Sequence, residues 1–230
     1  MFLKVYQIYF SDDQLPLLEP EYTPLLNDDC TVFFESSVIL NLIDAGLHKN
    51  HDYFAVVSYK LREKIGAVMR ERWKNIPTIA NHSLVDFSPA LFEGKLRELA
   101  PDVMSFQRHM GHDPVTVADR FHPGFSNFFR EIMARIGFKW EPVAFADVFY
   151  CNYFAARSEI YQSFVDEMLR PAMYVMEKMP ELMQNSRYPN PLPEDLRLKF
   201  GITWYPYHAF LTERMFSYYV WMKKYKCAHY

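Results

Sequence analysis

Three groups of residues in this 230-residue chain could do chemistry by their type and spacing. In Ser58-Tyr59-Lys60-Leu61-Arg62 two cations stand where an apolar run hands over to a helical pattern. Strand C-terminal ends in α/β sheets face the ligand crevice and a helix N-terminus attracts phosphate, so this junction is a candidate anion site. Lys60 and Arg62 read equally well as solvated residues on a first helical turn. The run from Tyr150 to Ser158 is aromatic and carries one amide, Asn152, and one cation, Arg157. Its rings, Tyr150 and Tyr153 among them, suit stacking on a ligand, and the amide suits hydrogen bonding to the ligand's rim. Asp147, just before that run, and Glu213, beside Arg214 near the C-terminus, are carboxylates able to orient or deprotonate a hydroxyl. Adjacent residues point in different directions around a helix, so Glu213 and Arg214 need not pair. Asp86, ahead of Phe87-Ser88-Pro89, reads either as a loop residue or as a carboxylate that meets a sugar or a metal.

Other chemistries find less support. His109, His112 and His122, with Asp113 and Asp119 between them, invite a metal site, but the H-x-x-H lies in a loop-like stretch without the E-x-x-H context of a zinc protease helix. His122-Pro123-Gly124 also reads as a turn whose imidazole points at a ligand. No G-x-S-x-G elbow, G-x-G-x-x-G fingerprint or Walker loop is present. Cys151 lies in an apolar run, where a buried, inert thiol is the usual outcome.

Composition narrows the class. Half of the residues are hydrophobic and 17% aromatic, which is ample for one well-buried domain, so we expect residues 1–230 to form a single domain with a helical C-terminal part over 180–230. A net charge of -3 gives no footprint for duplex nucleic acid. The three cysteines, Cys30, Cys151 and Cys227, are odd in number and form no C-x-x-C pair, which fits a reducing compartment. The first residues lack signal-peptide features, and no window approaches the ~18 apolar residues of a membrane helix. The expectation is a cytoplasmic protein, with peripheral membrane contact compatible with it.

These groups need a frame to position them. Phe2 to Phe10 and Tyr53 to Ser58 read as buried strands, and Val103 to Phe106 as another. Leu84 to Phe87 reads as a further short strand. Helical spacing marks Phe33 to Ala45, closed by Gly46, then Leu61 to Trp73, Leu91 to Leu99 capped by Ser88, and Phe125 to Ile136 stopped by Gly137. Ser158 reads as the cap of a long helix toward Met179, and Tyr207 to Tyr225 as an aromatic-laden terminal helix after the proline-rich connector Tyr188 to Pro193. Strand and helix alternate at a spacing that predicts an α/β fold, a mostly parallel sheet with helices on both faces.

Several stretches resemble a family of bacterial glycosyltransferases of GT-A type, close to a domain-of-unknown-function group in capsule and exopolysaccharide gene clusters. Asp52 to Lys60 is similar to that group's D-Y-x-G-hydrophobic-x-H-Y-R-R stretch. Asn152-Tyr153-Phe154 followed by Ile160-Tyr161 is similar to its strand-then-helix segment. Phe210-Leu211-Thr212-Glu213-Arg214-Met215-Phe216 resembles its G-F-hydrophobic-x-E-R-hydrophobic-hydrophobic motif. Where the family has a histidine and paired arginines, this chain has Ser58, Lys60 and Arg62, and the metal-holding D-x-D of many GT-A enzymes is absent.

The resemblance implies a GT-A-like, Rossmann-like sheet and a nucleoside-diphosphate sugar donor near Tyr9, Ser11, Ser58, Lys60 and Arg62. A divalent metal stays an open question, and without one Lys60 or Arg62 would stabilise the departing diphosphate. It also implies a glycan acceptor, a surface polysaccharide or a lipid-linked glycan, on the aromatic side. Asp86, His122, Tyr150, Asn152, Tyr153 and Arg214 are the candidate substrate contacts, Trp204 a further stacking ring, and Asp147 or Glu213 the catalytic carboxylate. The rival expectation is a non-catalytic carbohydrate-binding protein using the same aromatic run; a metal hydrolase built on the histidines ranks last.

Overall fold

Side chains of period two build the centre of the molecule. Along the first strand, β1 (Leu3–Tyr9), Leu3 and Val5 join one apolar cluster while Tyr6 and Ile8 join another. Along β3 (Tyr53–Ser58), Tyr53, Ala55 and Val57 face the first cluster, and Phe54 and Val56 the second. A strand apolar on both faces must be covered on both, and this one is wholly buried. The computed structural model describes residues 2–28, 31–63, 88–106, 113–143, 149 and 152–229.

The fold is α/β, with a mixed six-stranded sheet. Its remaining strands are β2 (Thr23–Leu26), β4 (Val103–Ser105), β5 (Phe154–Arg157) and β6 (Cys227–His229), and the order across the sheet is β2-β1-β3-β5-β4-β6. β1 pairs in parallel with both β2 and β3, β5 is antiparallel to β3 and β4, and β6 is parallel to β4. β5 alone therefore runs against the rest. The anticipated predominance of parallel pairing is met, with the aromatic segment supplying the reversed strand.

Helices cover the two faces unequally. On one side α2 (Pro89–Leu99) packs Phe92 and Leu96 over Met104 and Ala155. Ser88 caps it as expected, its hydroxyl accepting from the Leu91 amide at 3.3 Å. The other side carries α1 (Glu35–Asp44), the short α3 (Pro114–Ala118), α4 (Phe125–Arg135), the pair α5 (Ser158–Phe164) and α6 (Arg170–Met176), and the terminal α8 (Tyr207–Lys223). α7 (Glu194–Phe200) lies apart, with Leu196 packed on Phe34 and Leu192.

Three expectations need correction. The helix predicted from Ser158 toward Met179 is interrupted by a π turn at Val165–Leu169, immediately before Pro171, whose missing N–H and bulky ring exclude a regular bond there. Ser158 does not cap it; its hydroxyl donates to the His51 carbonyl at 2.6 Å, tying the helix start to the loop before β3. The terminal helix ends at Lys223 because Lys224 turns left-handed (φ 58°), and the chain then adds β6, a strand too short to leave a periodic trace in sequence. Beyond Glu63 the helix expected over Leu61 to Trp73 lies outside the described residues, as does the strand expected at Leu84 to Phe87.

α8 is apolar on nearly every side and buried on nearly every side, from Tyr207 to Val220. Its Phe216 ring lies face to face on Phe154 of β5, centroids 3.9 Å apart and planes within 9°. Replacing Phe154 by Ala opens a cavity under the helix, and we expect urea denaturation to show a loss of about 3–5 kcal/mol. A loss below about 1 kcal/mol would mean that the stack does not hold the helix to the sheet.

Candidate functional site

β1 and β3 lie side by side, yet the chain leaves β1 toward β2 on the opposite flank before returning to β3. Such a reversal opens a crevice outside the carboxyl ends of the strands, because the connections depart in opposite directions. A cavity of about 480 Å³ occupies that place. Its floor is Phe10 and Ser11 after β1 and Ser58, Tyr59 and Lys60 after β3; its walls are the start of α1, the first turns of α8, Asn152, and the rings of Tyr188 and Tyr205. The volume falls in the range of small-molecule sites, about 300–1,000 Å³.

A buried polar network shapes the floor. Gln7, fully enclosed within the apolar β1, donates from Nε2 to the Ser58 carbonyl at 3.3 Å and accepts the Glu19 amide on Oε1 at 2.7 Å. Ser58 Oγ meets the Tyr153 hydroxyl at 3.0 Å and accepts the Lys60 amide at 3.2 Å. The Glu19 carboxylate in turn receives two guanidinium N–H groups of Arg62. The two cations of the junction therefore diverge. Lys60 borders the cavity, its ammonium 5.6 Å from the Tyr59 ring centre, while Arg62 is engaged by Glu19 in a neighbouring recess of about 340 Å³ that shares only Tyr59 and Lys60 with the first.

The walls owe their placement to α1 and α8. Phe34, the residue before α1, has φ 50° and ψ -121°, a region costly for a side-chain-bearing residue, and its ring is held against Tyr205 at 5.5 Å. Ser37 Oγ donates to the Phe34 carbonyl at 2.7 Å, and Ser36 Oγ to Thr212 Oγ1 of α8 at 2.7 Å. One turn of α8 then presents Phe210 and Glu213 to the cavity. Arg214 Nη1 donates to Glu213 Oε2, so these neighbours do pair, contrary to the expectation from helix geometry: long side chains reach around one turn when both are largely buried. An adjacent guanidinium favours the ionised carboxylate.

Of the residues singled out in sequence, the structure gathers Ser11, Ser58, Lys60, Asn152 and Glu213 around this cavity. Asn152, only 7% exposed, adopts φ 56° in the turn before β5. Tyr9 lies just off the lining, its carbonyl accepting the Asn27 amide at 2.8 Å. Tyr153 is not an open stacking ring: it is 1% exposed and packs in the core beneath the floor. Trp204 donates its indole N–H to the Met183 carbonyl at 2.8 Å and stays off the lining. Asp86, Asp147 and Tyr150 fall outside the described residues. Sequence reasoning missed the aromatic wall of Phe10, Phe34, Tyr188, Tyr205 and Phe210 and the carboxylates Asp13 and Glu35. The only trace they leave is the density of aromatic residues around 188–210.

His122 does not reach the cavity either. It is buried behind the wall, with Nδ1 2.7 Å from the Ser186 carbonyl and its ring stacked on Phe210 at 4.3 Å. Asp113 and Asp119, the acids near it in sequence, accept backbone amides instead: Asp113 Oδ1 from Val115 at 2.8 Å and Asp119 Oδ1 from Ser126 at 3.0 Å. Among the described residues no three His, Cys, Asp or Glu side chains gather as a metal-binding group, and no helix is long and apolar enough to cross a membrane.

No family model, no curated protein and no solved structure matches this chain. Chemistry must therefore be argued from the cavity itself. Its features are an ionised carboxylate held by an arginine, one ammonium at the edge, a buried amide and several rings, at the mouth of a strand crossover. That set binds a polyhydroxylated ligand by its rim and faces, and can accept a proton from a hydroxyl.

Two buried histidines link the neighbouring walls to pH. Burial depresses the His208 imidazole to about 4, against Phe33 at 5.1 Å and with a backbone hydrogen bond to Met176. Burial also lowers His122, with the Arg214 charge adding to the effect. A depressed folded pKa contributes stability above the unfolded value near 6.5 that is lost as pH falls toward 4. Between pH 7.5 and 4.5 the native state should lose about 3 kcal/mol through His208 alone. Urea denaturation of the wild type and of His208→Asn checks this, the variant showing a correspondingly shallower pH dependence; identical slopes would refute it.

Proposed function

We propose that the chain is a nucleotide-sugar-dependent glycosyltransferase of GT-A type that acts on a surface polysaccharide or lipid-linked glycan, with the cavity as its active site. The single observation that carries this reading is the position of Glu213, an arginine-held carboxylate inside a ring-lined cavity at the carboxyl ends of β1 and β3. In α/β sheets that crevice is where nucleotide-bearing ligands settle. The parallel β2-β1-β3 half supports a Rossmann-like donor half, and reversed β5 brings Asn152 to the same edge.

The reaction balances with groups present in the chain. The acceptor hydroxyl oxygen forms a bond to the anomeric carbon of the donor while the bond from that carbon to the diphosphate oxygen breaks. The nucleoside diphosphate leaves with the electron pair, and the acceptor proton passes to the Glu213 carboxylate. Lys60, at the border of two recesses, is placed to meet the charge that develops on the leaving group. Arg62 contributes less directly, since Glu19 already neutralises it.

A non-catalytic carbohydrate-binding protein is the second reading. It is favoured by one feature: the lining carries the carboxylates Asp13, Glu35 and Glu213 against the single ammonium of Lys60, a poor balance for a diphosphate. Such a protein binds glycans and ignores nucleotides.

Thermal-shift and calorimetric titration with a panel of nucleoside-diphosphate sugars, with and without a divalent cation, tests the choice. We expect a stabilising response to at least one donor; silence across the panel would overturn the transferase reading. With the responding donor, Lys60→Ala should weaken binding about tenfold, or ~1.4 kcal/mol. Glu213→Gln should lower kcat about 10²–10⁴-fold with donor affinity little changed, as loss of a general base does. Unchanged turnover in Glu213→Gln would remove the carboxylate from the chemistry.

A further inference from the structure

We infer that the group lodged against Glu213 in this cavity is a protonated amine, so that the site prefers an amino sugar to its neutral or N-acetylated counterpart. The inference rests on the reading of the cavity as a sugar site, and it names the class of sugar.

The charges of the lining point one way. Asp13, Glu35 and Glu213 border the cavity, and the cation among the described lining residues is Lys60, drawn toward the Tyr59 ring. The two nearby arginines are committed elsewhere: Arg62 donates to Glu19 in the adjoining recess, and Arg214 stands off the lining with Nη1 on Glu213 Oε2. Among the described residues Glu213 Oε1 has no hydrogen-bond partner, so one oxygen of a largely buried carboxylate is left for a ligand donor. Close to rings and away from bulk water, such a charge acts more strongly than at the surface.

Asn152 supplies an independent indication that a polar ligand belongs here. Its residue is 93% buried, it borders the cavity, and among the described residues its amide makes no hydrogen bond. A buried amide left unsatisfied costs about 1–3 kcal/mol, which a bound hydroxyl or ammonium recovers. An inorganic cation fits poorly, since the acids of the lining do not converge into a group of three ligands. An organic ammonium does not need such convergence. Its charge can spread over the faces of Phe34, Tyr205 and Phe210 while its sugar C–H groups lie on the same rings.

Isothermal titration of the full chain at pH 7 with glucosamine, glucose and N-acetylglucosamine, at matched ionic strength, reads the preference directly. We expect glucosamine to bind at least tenfold more tightly than either neutral sugar, and the ratio to collapse toward one in Glu213→Gln. Because that variant strands Arg214, Glu35→Gln provides a second test in the half-buried first turn of α1, with the ratio expected to fall there too. Equal affinities for the three sugars, or a ratio that survives both substitutions, would overturn the inference. The nucleotide-sugar panel separates the two failures: a donor that binds without any amine preference removes this inference alone, whereas an amine preference with no donor response removes the transferase reading alone.

Discussion

The stack of Phe216 on Phe154 seats the terminal helix across the sheet, and the rest of the site depends on that seating. A helix buried on all sides has no polar stripe to set its rotation, so shape and specific bonds must do it. Ser217 Oγ donates to the Phe149 carbonyl at 3.1 Å and accepts its amide at 2.8 Å, and Tyr218 donates to the Lys139 carbonyl at 2.6 Å. At the other end Tyr207 donates to the Pro123 carbonyl at 2.7 Å, and Thr212 receives Ser36. With rotation and translation set in this way, Phe210 and Glu213 have one direction in which to face, into the cavity.

The floor follows a different rule, in which a single buried amide coordinates several charges. Gln7 sits in the middle of an apolar strand and bonds to the ends of two other segments, the carbonyl of Ser58 and the amide of Glu19. Glu19 is thereby held almost fully buried, and a buried carboxylate requires a cation, which Arg62 provides. The pairing leaves Lys60 by itself at the boundary of the two recesses. Electrostatically, then, the junction is not a double-cation cradle but one mobile ammonium beside a carboxylate-rich, ring-lined chamber. The same charge balance weakens a diphosphate in that chamber and strengthens an ammonium.

Much of the frame is legible in sequence because it is local. The continuous apolar run Tyr53 to Ser58 becomes a fully buried strand with the expected bounds, and Ser88 with Pro89 starts α2 through the hydrogen bond that those residue types predict. Gly137 takes φ 87° just after α4, where only a left-handed residue ends a helix cheaply. What misleads is the aromatic run. Its richness suggests an open platform, yet a reversed central strand, flanked by β3 and β4, turns Tyr153 to one core and Phe154 to the other.

By itself the sequence determined the periodic elements, their alternation and the presence of a strand-to-helix junction bearing cations, since each follows from backbone preferences and apolar spacing over a few residues. Only the tertiary structure decided which charges share a space. Arg62 finds Glu19 43 positions away, Ser36 finds Thr212 176 positions away, and the rings around Phe34 converge from segments far apart in the chain. No local pattern encodes such meetings, because they arise from how the elements pack and from the need of every buried polar group to find a partner.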